Sequence, residues 1–318
     1  MATMKAIECT KYGSPEVLKF IERIKPIPRS DEVLIKIYAT SVTNSDIFIR
    51  SSNIPLRFRI PMRIMIGLTK PRNSIIGEVL AGEIEYVGSQ IGRFQVGDQV
   101  YGLTGLSLGA YADFKCMKER DSKNGCIAQM PKNVSFEEAT SAAYGGLLAL
   151  QYIEKGEITP GQKVLIYGAS GTSGTIAIQL AKYLGAEVTG VCSTKNVEFI
   201  KSLGADTVLD YTKKESLSEL KTYDLVLDCV GKRRTSELKE ACVNSIGQSG
   251  KYVSIDDGAL KLSSKRLERI KELVESGIVK PINDKCYPFE MIVEAHKYVE
   301  MGHKKGNVAI TVNQKPNK

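Results

Sequence analysis

Between Lys163 and Ile255 the chain keeps a beat that few folds can accommodate. Short, nearly continuous apolar runs (Lys163–Tyr167, Glu187–Cys192, Thr207–Tyr211, Asp224–Val230 and Lys251–Ile255) alternate with amphipathic stretches (Thr175–Leu184, Val197–Leu203, Ser216–Leu220 and Ser236–Ser245). A strand that is apolar on both faces must be covered on both faces, and helical crossovers are the connections that parallel pairing requires. The pattern predicts a doubly wound α/β domain around a parallel sheet.

The first strand-to-helix junction carries chemistry. Val164–Tyr167 leads into Gly168-Ala169-Ser170-Gly171-Thr172-Ser173-Gly174 and then a helical run from Ile176. Small residues at Ala169, Gly171 and Gly174 suit a tight turn, close approach of backbone to a pyrophosphate, and helix-on-strand packing. The helix N-terminus adds free N–H groups and partial positive charge. Lying between a strand and a helix in a repeated β-α unit, the motif is read as a dinucleotide site. The second strand ends in Ser193-Thr194-Lys195, with no carboxylate to hold a ribose 2′-hydroxyl. A carboxylate would repel a 2′-phosphate whereas Ser193 and Lys195 would bind it, so the expected cofactor is NADPH.

The remainder differs in texture. The first third is strand-like and rich in Gly and Pro: Asp31–Tyr38 and Gly82–Gly88 alternate apolar and polar residues. A helix is expected from Ser135 towards Tyr152. A last helix is expected at about Ser264–Ser276, closed by Gly277, before a strand-like return at Val308–Val312. Ile54–Ile66 is apolar with Arg57, Arg59 and Arg63 interspersed. Pro55 and Pro61 interrupt any long helix there, which favours a flap over a membrane-binding amphipathic helix. The net charge of +8 is spread along the chain rather than blocked, so nucleic acid is not the expected partner. Seven cysteines, odd in number and without a CxxC pair, suggest free thiols in a reducing cytoplasm. The N-terminus has no secretory pattern, and no apolar run nears the ~20 residues of a transmembrane span.

These segments resemble the medium-chain dehydrogenase/reductase superfamily, in its zinc-independent, quinone oxidoreductase-like branch. The likeness is densest over Val164–Ala181 (VLIYGASGTSGTIAIQLA), Gly185–Val191, Cys192–Lys195 and Asn196–Asp206, and continues at Val96–Val100, Gly109–Ala112 and His303–Gly306. It implies a β-rich GroES-like catalytic domain built from both chain ends (1–130 and 278–318). A Rossmann NADPH-binding domain (131–277) is inserted between them, with the active cleft between the two. Zinc-dependent relatives use a Cys where Thr43 stands and a His-Glu pair where Glu78 and Val79 stand; the Ser141–Gly146 region has no Cys, and the four-cysteine lobe is absent. A catalytic zinc needs about three such ligands, so no metal is expected. Without a Lewis acid, a saturated alcohol is a hard substrate. A quinone or α,β-unsaturated carbonyl is easier, because charge delocalises into an enolate that hydrogen bonds and a proton can handle.

The resemblance places Thr43, Asn44, Ser45 and Asp46 where the zinc ligand and proton relay would be, and Tyr144 on the helix passing the nicotinamide. Thr43, Asn44, Asp46 and Tyr144 are therefore the catalytic candidates. Ala169, Ser170, Gly171, Thr172, Ser173, Gly174, Ser193 and Lys195 are the phosphate-binding candidates. Tyr211 is expected near the adenosine, and Val230, Gly231, Ser254 and Ile255 beside the nicotinamide ribose and ring. The chain departs from the family at Val79 and Asn307, where relatives carry an acid and a lysine. Little sequence separates Ile255 from the Ser264 helix, which leaves open the sixth strand through which relatives often form a homodimer. Alternatives within enzymes are an alkenal/enone reductase or an alcohol dehydrogenase-like reductase. The alternative outside enzymes is a non-catalytic NADPH-binding protein whose basic surface holds RNA or a membrane.

Overall fold

The structure, a computed structural model, describes residues 1–52, 63, 67–232 and 235–314; of the Ile54–Ile66 segment read as a flap, only Arg63 lies among them. The chain forms two compact units: residues 1–143, 262–271 and 283–318, and residues 144–261 and 272–282.

The first unit is β-rich. Its N-terminal elements are β1 (Thr3–Cys9), β2 (Leu18–Ile24), β3 (Glu32–Ser41), α1 (Asn44–Ser51), β4 (Val79–Val87), β5 (Gln99–Leu103), β6 (Phe114–Lys118) and β7 (Cys126–Gln129). A long helix, α2 (Phe136–Gly156), follows and crosses the unit boundary. β1 and β2 form an antiparallel ribbon. β3 is the hub of the larger sheet, pairing antiparallel with β4 and β6. Ile35, Ile37, Leu80, Ile84, Val100 and Ile127 form one core on that sheet. Fully burying each such aliphatic side chain stabilises the fold by about 1.5–3 kcal/mol.

The second unit alternates as the sequence predicts: β8 (Lys163–Tyr167), α3 (Thr172–Tyr183), β9 (Glu187–Cys192), α4 (Val197–Ser202), β10 (Thr207–Asp210), β11 (Tyr223–Asp228), α5 (Glu237–Asn244) and β12 (Ile246–Ser254). The strands are all parallel, in the order β10-β9-β8-β11-β12. The chain winds outward from β8 through β9 and β10, then returns to add β11 and β12 on the other side. The order reverses between β8 and β11, so a crevice opens there at the carboxyl edge of the sheet.

The chain then forms α6 (Ser264–Glu275), β13 (Asn283–Pro288), α7 (Ile292–Glu300) and β14 (Asn307–Thr311). β14 pairs with β13 and with β3, which closes the first unit with the chain's own end.

Three readings of local structure are corrected. The expected helix at Ser216–Leu220 is a single 3-10 turn, Lys214–Leu217. The Ser216 hydroxyl donates to the Asp210 carbonyl and accepts from the Asp210 amide, which ties that turn to β10 before a longer helix can form. The Ser264 helix is not the last, because α7 follows it. The inner face of α7 is Ile292, Ala295, His296 and Val299, and a histidine in that stripe blurs the apolar period. β12 starts at Ile246, earlier than the Lys251 expected, because exposed polar residues occupy its first half.

Candidate functional site

Parallel strands bring all their carboxyl ends to one edge, and the cofactor candidates follow. Gly168, in the left-handed region at φ +79°, starts the turn after β8. Ala169 is fully buried and donates its amide to the Val191 carbonyl (3.1 Å). Its backbone is not left-handed, which is why alanine is tolerated at a position that is usually glycine. Gly171 and Gly174 are glycines for different reasons. A Cβ on Gly174 would lie 2.3 Å from the Gly168 carbonyl oxygen, so the packing of helix on turn forbids one. A Cβ on Gly171 would meet only that same oxygen, at 3.4 Å. Nothing inside the protein demands glycine there; its bareness keeps open the space that a phosphate approaching the backbone would use. Gly171 is the N-cap of α3 and supplies no side-chain cap, so the first-turn amides at Thr172 and Ser173 lack intrahelical acceptors.

Ser193 caps a 3-10 turn after β9, and Lys195 is exposed in it. A carboxylate does lie nearby, from the neighbouring strand: Asp210 accepts from the Thr194 hydroxyl (2.5 Å), the Thr212 hydroxyl (2.7 Å) and the Thr212 amide (3.0 Å). Burial raises its pKa, but these bonds overcome that and hold it below the ordinary carboxylate range. Tyr211, half exposed, follows on the same edge.

After β11 the chain turns through Cys229, Val230 and Gly231, and Asp228 fixes that turn. Its Oδ1 accepts from the amides of Val230 (3.0 Å) and Gly231 (3.1 Å). Its Oδ2 faces Lys239 Nζ (2.9 Å), the Tyr252 hydroxyl (2.7 Å) and the Ser254 hydroxyl (3.3 Å). Lys239 in turn donates to the Gly231 carbonyl (2.6 Å). Ser254 and Ile255 end the adjacent strand. All thirteen cofactor candidates thus stand along one edge of one sheet.

The catalytic candidates divide. Thr43, Asn44 and Asp46 meet at the N-terminus of α1, whereas Tyr144 is half-buried on α2 within the other unit. Thr43 and Asp46 form a capping box: Thr43 Oγ1 accepts from the Asp46 amide (3.1 Å), and Asp46 Oδ2 accepts from the Thr43 amide (2.9 Å) and hydroxyl (2.8 Å). Asn44 points to solvent. Sequence reasoning missed what surrounds Asp46. Thr43 Oγ1 also lies 3.4 Å from Glu78 Oε2. Behind Asp46 sit Tyr111, whose hydroxyl is 3.1 Å from His296 Nε2, and Arg50, whose Nε–H donates to His296 Nδ1 (3.3 Å). The Arg50 guanidinium reaches Glu300 and the Gly13 carbonyl. Asp46, Arg50, Tyr111 and His296 are fully buried; Glu78 is half-buried. Burial raises both carboxyl pKa values, Glu78 further through the charge of Asp46, and hydrogen bonds from Thr43 and Ser45 only partly offset this. Burial, then Arg50, depresses His296 to about 3, so its ring is neutral. The available signal was the i, i+4 spacing of Asp46 and Arg50, one buried charge above another on a helix face.

The donors near Thr43 do not fit a zinc centre. They are hydroxyls and carboxyls committed to one another, those of Thr43, Ser45, Asp46 and Glu78. Among the described residues no three or more His, Cys, Asp or Glu side chains cluster to hold a metal ion. Asn307 is spent inside the first unit, donating to Thr140 Oγ1 and Asn283 Oδ1 (3.1 Å each).

Residues 29–149 match the alcohol dehydrogenase GroES-like domain family, and residues 174–273 and 258–310 match two families described as zinc-binding dehydrogenase. A 2-methylene-furan-3-one reductase of Solanum lycopersicum is 31% identical over 96% of this chain and 79% of its own. The chain belongs to the medium-chain dehydrogenase/reductase superfamily, in its quinone oxidoreductase-like branch. It is an oxidoreductase with a Rossmann sheet and a GroES-like domain. The NADPH-dependent alkenal/one oxidoreductase of Arabidopsis thaliana chloroplasts is 29% identical over 96% of this chain and 79% of that one. The solved quinone oxidoreductase of Coxiella burnetii superposes with a TM-score of 0.82 at 25% identity, covering 98% of this chain and all of that one. Among the described residues no helix is long and apolar enough to cross a membrane.

Proposed function

We propose that this oxidoreductase takes NADPH and reduces a quinone or an α,β-unsaturated carbonyl without zinc. The observation that carries the reading is Gly171, bare of any internal need to be so, at a helix N-terminus on the carboxyl edge of the parallel sheet. When bound there, the reduced nicotinamide supplies a hydride. Ser170–Gly174 would hold the pyrophosphate, Ser193 and Lys195 the 2′-phosphate, and Tyr211 the adenosine. Val230–Gly231, braced by Asp228, and Ser254–Ile255 would hold the nicotinamide end. Asp210 stays ionised, with the Thr194 and Thr212 hydroxyls and the Thr212 amide turned towards its charge. The named relatives include an NADPH-dependent alkenal/one oxidoreductase and a quinone oxidoreductase, which supports the substrate class. All seven cysteines are free thiols, which suits a reducing compartment such as the cytoplasm.

The test is a pair of titrations with NADPH and NADH on wild type and Lys195→Ala, followed by turnover on quinone and enone panels. Loss of a charge-assisted contact should weaken NADPH binding by roughly 10- to 100-fold and leave NADH nearly unchanged. Equal losses for the two cofactors would remove the phosphate-reading role of Lys195.

A further inference from the structure

We infer that Asn196 is a positioning residue for the choice of NADPH over NADH: it holds the oxygen of the Ser193 hydroxyl and leaves that hydroxyl's hydrogen for the 2′-phosphate. The inference rests on the proposed NADPH site, and every group it uses lies within the Rossmann unit.

The case begins with what Asn196 does not do. It stands at the N-cap of α4, where an asparagine side chain ordinarily accepts an amide of the first helical turn. Here it makes no capping bond. The side chain is only 3% exposed, and no described group donates to its Oδ1. A buried amide carbonyl without a donor carries a desolvation cost that nothing offsets. A leucine of similar shape would avoid that cost, so packing alone does not ask for asparagine here. What the side chain does is reach back along the turn. Its Nδ2 donates to Ser193 Oγ (3.4 Å), while the Asn196 main-chain amide donates to the Ser193 carbonyl (2.8 Å).

The hydrogens of the turn then sort themselves. Asn196 occupies a lone pair of Ser193 Oγ. A hydroxyl has one hydrogen to give, and that of Ser193 meets no acceptor among the described residues. Ser193 is half-buried, so a ligand can still reach it. Thr194, the next residue, is the contrast. The Oδ2 of the ionised Asp210 takes the Thr194 hydrogen (2.5 Å), and Thr212 Oγ1 stands 2.8 Å from the same hydroxyl. Of the two adjacent hydroxyls, the one that can donate to a newcomer is Ser193. With Lys195 exposed beside it, the turn offers a charge and an oriented O–H. A charged 2′-phosphate gains most from both, because hydrogen bonds to ionised groups are about twice as strong as neutral ones. A 2′-hydroxyl gains little.

The experiment titrates NADPH and NADH into the full chain as wild type, Ser193→Ala, Asn196→Leu and the double variant, with thermal unfolding of each. Ser193→Ala should weaken NADPH binding by about 10- to 100-fold, the loss of a hydrogen bond to a charged group. Asn196→Leu should weaken it by roughly 2- to 10-fold, the loss of a neutral one, and should melt no lower than wild type. NADH affinity should stay near its wild-type value throughout. The double variant should lose no more than Ser193→Ala alone, because Asn196 acts through that hydroxyl; independent residues would multiply their losses. Asn196→Ala, which only removes atoms, carries the same titrations if the leucine variant does not fold. Losses that multiply, losses that fall equally on the two cofactors, or NADPH binding unchanged in either single variant overturn the inference. A wild type without a preference for NADPH overturns the parent reading, and this inference with it.

Discussion

Asp228 and Asp46 are both buried aspartates at the ends of secondary structure elements, and the fold treats them in opposite ways. Asp228 meets an ammonium, two amides and two hydroxyls. Burial raises its pKa, but Lys239 and the other donors outweigh that and leave it below the ordinary range. Asp46 meets neutral donors, the amides of Thr43 and Glu78 and the hydroxyls of Thr43 and Tyr111, and its charge acts on a second carboxyl, Glu78, so burial wins at both acids. A charge taken out of water is costly unless paired and hydrogen-bonded. Where the fold compensates in full, the carboxylate is a strut for the Val230–Gly231 turn. Where it compensates in part, the carboxyl pKa stands above its ordinary value.

The comparison breaks most easily at Lys239. Lys239→Met removes the ammonium and strands Asp228 as an uncompensated buried charge, which should cost about 3–5 kcal/mol of stability at neutral pH. Urea unfolding reads this directly. Adding Asp228→Asn should recover part of the loss, because the double variant buries no charge. A Lys239→Met protein as stable as wild type would mean that Asp228 is not an ionised strut.

The next effect is in pH, and its sign differs between the sites. Asp228 has a depressed folded pKa, so its contribution is present above the unfolded value of 3.8 and is lost as pH falls through the folded one. Asp46 and Glu78 have raised folded values. Their contribution is present below the unfolded values of 3.8 and 4.5 and is lost as pH rises towards the folded ones. His296 runs against them: its folded value is depressed, so its contribution is lost as pH falls from 6.5 towards about 3. The difference between wild type and Glu78→Gln cancels the His296 contribution. The stability of wild type relative to that variant should decline with rising pH, by at most about 1.4 kcal/mol per pH unit for one proton. A flat difference between weakly acidic and mildly alkaline pH would show that Glu78 is ionised throughout.

The two sites also differ in how legible they are. The Rossmann unit is written in local patterns: apolar runs, a glycine turn, a strand end without a carboxylate. Each is settled within a few residues, so the order of strands β8 to β12 and the glycine turn after β8 follow from sequence. The Asp46 site is assembled from Thr43 and Arg50 on α1, Glu78 before β4, Tyr111 before β6 and His296 on α7. These lie more than 250 residues apart at the extremes, counting from Thr43 to His296. Its inward faces are also polar. α1 buries Asp46 and Arg50, so its apolar period does not mark its core side, and α7 carries His296 in its buried stripe. The bracing of Val230–Gly231 was hidden for a similar reason, since Lys239 reads as an ordinary helix lysine until the turn folds back over it.

The smallest effect separates redundancy from its absence. Tyr252→Phe deletes one hydroxyl from Asp228, which keeps Lys239 and two amides; Thr43→Val deletes the hydroxyl that stands between the Asp46 and Glu78 carboxyls. Thr43→Val also removes the N-cap of α1, a loss of about 0.5–2 kcal/mol by itself, and takes one shared donor from the two carboxyls. Tyr252→Phe should cost about 1 kcal/mol or less, because the remaining donors can tighten on the charge. Thermal unfolding of both at one pH gives the order. Thr43→Val should be the more damaging, and should become more so as pH rises, because each further ionisation adds repulsion that the Thr43 hydroxyl no longer screens. The reverse order would mean that Asp228 depends on a single donor and that the carboxyl pair does not depend on its bridge.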